Sequence, residues 1–180
     1  MIYMFLANGF EETEAIVPLD LLIRAGADIK TVAVGCDGRR VVGTHGIAVE
    51  ADITPDELKL DGIEMVILPG GMPGAANLDM SETVDRVLAH ANSSGAYLAA
   101  ICAAPMILGK RGYLRGKRAV CYPGFEEYLD GAAVVPAKVV RDGKVICAVG
   151  MGAAHEFGLE LVAALYGEDK AEQLRAATKI

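Results

Sequence analysis

The sequence predicts an α/β fold: a doubly wound, mainly parallel sheet sandwiched by helices. Short apolar runs without strict alternation, each bounded by Gly, Pro, Asn or Asp, read as strands buried on both faces. Stretches of helical periodicity lie between several of them, and alternating β and α implies parallel strands with helices on both sides. The 180 residues, 53% of them hydrophobic, suffice for one domain spanning 1–180 around a substantial core.

The expected strands are Ile2–Ala7, Ile29–Val34, Ile63–Leu68, Ala96–Ile101 and Lys144–Val149. A first helix over Ala15–Ala25 places Ile16, Leu19, Leu22 and Ile23 on one face, with Pro18 inside it as a kink or an irregular turn. Arg39–Asp52 alternates around Gly-Thr-His-Gly and reads as a hairpin. Ser81 N-caps a helix over Ser81–Asn92 that buries Val84, Val87 and Leu88. Asp142-Gly143 is a hairpin turn signal within Val134–Val149. Gly150 and Gly152 open the last helices, Ala153–Tyr166 and Glu168–Thr178.

A net charge of −7 lacks the basic footprint of a nucleic-acid binder. No apolar run approaches the roughly 20 residues that span a bilayer, and the N-terminus has no basic leader. We expect no nucleic-acid partner, no membrane association and a cytoplasmic location. The four cysteines, Cys36, Cys102, Cys121 and Cys147, show no C-x-x-C spacing. They pair with none of His45, His90 and His155 at metal-ligand spacing, so reduced thiols and no metal or cofactor are expected.

In doubly wound sheets, ligands bind at the C-terminal ends of the strands. After the fourth strand comes Ala99-Ala100-Ile101-Cys102-Ala103-Ala104-Pro105. A cysteine between small residues, where a strand turns sharply into a helix, fits a nucleophile elbow, and helix-start amides would lower its pKa. The plain alternative is a buried, inert cysteine. After the third strand, Gly70-Gly71 frees backbone amides to hold a thiolate or oxyanion, although an ordinary turn reads the same way. After the first strand, Glu11 and Glu12 are explained by the helix dipole as solvated residues. Glu14, deeper among apolar neighbours, is a candidate buried carboxylic acid.

Together, Gly-Phe-Glu-Glu-Thr-Glu, Leu-Pro-Gly-Gly and Ala-Ala-Ile-Cys-Ala-Ala-Pro resemble the ThiJ/PfpI superfamily, over nearly the whole chain. The similarity is greatest to the branch that contains the Parkinson-disease protein deglycase and its bacterial relatives. The resemblance implies a flavodoxin-like fold, a homodimer, Cys102 as the reactive thiol and Glu14 as the acid bonded to its sulfur. It also implies an amide cradle at Gly70, Gly71 and Ala103. Family activities include glyoxalase III chemistry, protein deglycation, chaperoning and peroxide sensing, so the implied substrate is a small oxoaldehyde or a glycated thiol or amine. The alternative is a thiol redox sensor or chaperone that acts through oxidation of the same cysteine.

The chain departs from the family pattern at the rim of this site. Tyr122-Pro123 stands where many members have His-Pro, and Ala103 where peptidase members have His, so a peptidase is disfavoured. Val149 and His45 occupy places where this branch often has arginine, and Tyr122 and His45 are candidate site-lining residues. His155 reads as a helix-face residue that could approach a subunit contact. Cys121 reads as packing, with a resolving-thiol role as the alternative.

Overall fold

The computed structural model describes residues 1–180. In chain order the elements are β1 (Ile2–Ala7), α1 (Glu12–Ala25), β2 (Ile29–Val34), β3 (Arg40–Val42) and β4 (Ala48–Glu50). Then come β5 (Met65–Leu68), α2 (Gly74–Asp79), α3 (Glu82–Ser93), β6 (Tyr97–Ile101), α4 (Pro105–Lys110), β7 (Arg118–Ala119) and β8 (Ala133–Val134). The chain finishes with β9 (Val139–Asp142), β10 (Val145–Ala148), α5 (Ala154–Tyr166) and α6 (Glu168–Thr178).

The central six-stranded sheet has the order β2-β1-β5-β6-β10-β9. All neighbours pair in parallel except β9 and β10, which the turn after Asp142 joins as a hairpin. Successive side chains of a strand point to opposite faces. Tyr3 and Phe5 of β1 therefore join Val84, Leu88 and Ile107 on one side. Ile2, Met4 and Leu6 join Leu22, Phe157 and Leu161 on the other. Both faces are covered, which is why these strands read as continuous apolar runs. The edge strand β2 is shielded by the segment after β4, where Ile53 exchanges backbone hydrogen bonds with Thr31 and Ala33.

The hairpin reading of Arg39–Asp52 matches the antiparallel pair β3–β4. Ser81 caps α3, its hydroxyl accepting from the Val84 amide at 3.3 Å. The buried face of α1 differs from the expected one. Leu22 is buried as expected, but Ile16 and Ile23 are 42% and 57% exposed, and the helix buries Ala15, Pro18 and Leu21 beside Leu22. The reason is α5, which crosses close to Pro18: a Cβ on Gly158 would sit 3.0 Å from Pro18 Cα and 2.6 Å from Leu21 Cδ1. The helix runs unbroken through Pro18 and starts earlier than expected, at Glu12. No helix is long and apolar enough to cross a membrane.

Candidate active site

β1, β5, β6 and β10 are neighbours running the same way, so the loops that follow them meet at one sheet edge. Leu68 is level with Ala100, and Ile101 with Ala148. This register puts Gly70 and Cys102 side by side.

Cys102 has φ 65°, a left-handed conformation that L residues with a Cβ rarely adopt. Such a residue costs on the order of 1–3 kcal/mol and persists only where its surroundings hold it. Its amide donates to the Ala148 carbonyl at 2.9 Å, and its carbonyl accepts from the Tyr122 amide at 2.8 Å. Ile101, Ala103 and Ala104 around it are buried, while the thiol itself is half-buried. The elbow therefore exists, but α4 begins only at Pro105. Cys102 lies in the turn before that helix, not at its first residue, and the amides that act to lower the thiol are those of Gly71 and Ala103.

Glu14 is 1% exposed. Its backbone amide donates to the Glu11 carboxylate at 2.7 Å, which makes Glu11 the N-cap of α1. The Gly70 amide donates to Glu14 Oε2 at 3.1 Å. A Cβ on Gly70 would sit 2.5 Å from that oxygen and 2.6 Å from Cys102 Cβ. Only glycine leaves room for the carboxyl and the cysteine to meet. Gly70 therefore serves the acid, and the amides facing the sulfur are those of Gly71 and Ala103. The cradle expected at Gly70, Gly71 and Ala103 is divided between the two groups.

Burial pushes the Glu14 carboxyl up to about 7, against the lowering effect of its hydrogen bond with Cys102. Burial, then the Glu14 charge and the same hydrogen bond, push the thiol up to about 12. These values belong to the pair. Between them the two groups hold one proton, and whenever Glu14 carries it the sulfur faces a donor instead of an anion.

Burial acts on the other thiols as well. Burial raises Cys36, whose Sγ donates to the Val34 carbonyl at 3.3 Å. Burial raises Cys121 to about 11, and takes the fully buried Cys147 to about 12.

Tyr122 does line the site. A Cβ on Gly150 would sit 3.2 Å from Tyr122 Cδ2 and 4.0 Å from Cys102 Sγ, so ring and sulfur border one space. The partner of His45 in the structure is Glu12. The histidine is exposed in the turn between β3 and β4, with Nδ1 2.8 Å from Glu12 Oε2. Glu12 also accepts from the His45 amide at 2.7 Å. Burial acts to raise the Glu12 carboxyl, but these bonds outweigh it and hold the group below the usual range. Glu12 is thus a buried clamp on the hairpin, not a solvated residue. Sequence reasoning missed it because a helix-start carboxylate has a sufficient local explanation, while its partner is 33 residues away. Glu11, Glu12 and His45 also bring one ligand atom each within 4.8 Å of one another.

His155 lines a groove of about 520 Å³ with Ile16, Arg24 and Ile180.

A family model described as DJ-1/PfpI matches residues 1–164. The chain belongs to the DJ-1/PfpI family. A DJ-1 superfamily protein of Salmonella typhimurium, solved as a Cys-to-Ala mutant, superimposes with a TM-score of 0.92 at 35% identity, over 99% of this chain and 97% of that one. The Arabidopsis thaliana protein DJ-1 homolog B is 37% identical over 93% of this chain, which spans 39% of that longer protein. A protein of Pyrococcus horikoshii named as a deglycase is 32% identical over 76% of this chain and 82% of its own length. The flavodoxin-like architecture expected from the DJ-1/PfpI resemblance is the one observed.

Proposed function

We propose that this protein is a cysteine-dependent enzyme of the glyoxalase III or deglycase type, converting small α-oxoaldehydes to 2-hydroxy acids. The observation that carries this reading is the contact across Gly70, where a buried carboxylic acid meets a half-buried thiol on a left-handed turn.

The Cys102 sulfur adds to the aldehyde carbon, and the carbonyl electron pair moves to oxygen, which takes the proton held by Glu14. The product is a hemithioacetal, and Glu14 is left as a carboxylate. That carboxylate removes the proton on the sulfur-bearing carbon, and the resulting enediol is reprotonated at the neighbouring carbon. The outcome is a thioester, which water hydrolyses to release the 2-hydroxy acid and restore the thiol. The sum is oxoaldehyde plus water, with no external oxidant. The amides of Gly71 and Ala103 face the sulfur throughout. Adducts of oxoaldehydes with thiols or amines enter the same route once the aldehyde is released.

We further propose a homodimer, with the exposed Ile16 and Ile23 and the groove beside them at its interface. Four free thiols fit a reducing compartment, and we propose the cytoplasm.

The test is lactate formation from methylglyoxal by the wild type and Cys102→Ala. The wild type forms lactate and the variant does not. A flat wild-type trace would remove the enzyme reading and leave the alternative of a thiol sensor or chaperone acting through oxidation of Cys102.

A further inference from the structure

We infer that Tyr122 is a specificity-determining residue, and that the substrate is an uncharged α-oxoaldehyde carrying an apolar, preferably aromatic, substituent. This rests on the oxoaldehyde chemistry proposed above and names its substrate class. A molecule bonded to Cys102 Sγ has the Tyr122 ring beside it, as the position of a Cβ on Gly150 marks out. There the Tyr122 ring and the sulfur both lie within 4.0 Å of one point. The ring is not packed away in the core, since Tyr122 remains 51% exposed. Its backbone is fixed all the same, by the amide bond to the Cys102 carbonyl at 2.8 Å.

The loops that end here carry further exposed apolar side chains. Met72 follows Gly71, whose amide faces the sulfur, and is 48% exposed. Met151 follows Gly150, gives its backbone amide to Glu14, and is 54% exposed. The residue before Gly150 is Val149, which offers no charge. The charges that weigh most on the Cys102–Glu14 pair are carboxylates, Glu11 and Glu14 itself. A negatively charged substituent would meet repulsion from these carboxylates, whereas a phenyl group would stack on Tyr122.

The experiment measures kcat and KM for phenylglyoxal, glyoxal and 4,5-dioxopentanoate, whose products are mandelate, glycolate and 2-hydroxyglutarate. The wild type favours phenylglyoxal over 4,5-dioxopentanoate by at least ten-fold in kcat/KM. Tyr122→Ala lowers kcat/KM for phenylglyoxal by about ten-fold, the scale of one lost aromatic pair, mostly through KM. It changes glyoxal turnover far less, so glyoxal also reports that the variant folds. Tyr122→Phe restores the phenylglyoxal preference. Gly150→Ala, whose Cβ would enter the shared space, lowers phenylglyoxal turnover more than glyoxal turnover. Equal losses on phenylglyoxal and glyoxal in Tyr122→Ala would overturn the specificity role while leaving the chemistry intact. A wild-type preference for 4,5-dioxopentanoate would overturn the substrate class. No turnover of any of the three would overturn the proposed function and this inference with it.

Discussion

Glu14 and Cys102 together hold one proton over the pH range of ordinary assays, and that proton governs both reactivity and stability. Below about pH 7 the pair is doubly protonated, so the sulfur loses its nucleophilic form. Alkylation of Cys102 and turnover should both rise through an apparent pKa near 7, as a rate–pH profile would show. The linkage to stability runs the other way. The folded pKa of Glu14, about 7, lies above its ordinary value of 4.5, so the folded state binds the proton more tightly. That contribution is complete below about pH 4.5 and is lost as pH rises to about 7. Denaturant unfolding of Glu14→Gln should show that this loss between pH 5 and 8 has disappeared. Cys102 and Glu14 were legible in the sequence because their neighbours are local: small residues around the thiol, apolar ones around the acid. The division of amides between Gly70 and Gly71 was not, because it depends on which way each peptide faces.

The strands β1, β2, β5, β6 and β10 and the helices α3, α5 and α6 were legible from their apolar periodicity, within a residue or two at their ends, whereas α1 starts earlier than its repeat and the short β7 and β8 carry no such pattern. The buried face of α1 was not legible either. Ile16 and Ile23 obey a helical repeat, but the close crossing at Gly158 selects the Pro18 side. Elements also carry the site through single contacts. Glu12 ties α1 to the turn between β3 and β4, accepting from the His45 amide at 2.7 Å and the Ile47 amide at 3.4 Å. Glu12→Ala leaves those donors without their acceptor and should cost about 1–3 kcal/mol in urea unfolding. Glu12→Gln retains an acceptor and should cost less. Gly70→Ala is more severe for function, because its Cβ would occupy the space where Glu14 Oε2 and Cys102 Cβ meet. Displacing either group by an ångström should lower methylglyoxal turnover about a hundred-fold.

At the scale of the whole molecule, four parallel strands end at one edge, where their loops and the first turn of α1 supply the pair and its cradle. The opposite charge balance needed for nucleic acid is absent, and the net −7 favours neutral small molecules over polyanions. The exposed apolar side of α1 has a different destination. If it forms the dimer interface, Ile16→Glu and Ile23→Glu should shift sedimentation from dimer to monomer, and a wild type that sediments as a monomer would remove that proposal. The chemistry itself stands on Glu14 carrying the proton for Cys102. Its most direct test is the rate of lactate formation from methylglyoxal by Glu14→Gln, a variant that keeps a donor to sulfur but cannot take the proton back. A loss of at least about a hundred-fold, with the folded state and Cys102 alkylation retained, is the predicted result. A rate near that of the wild type would mean that Glu14 is not the proton carrier, and the mechanism would be wrong.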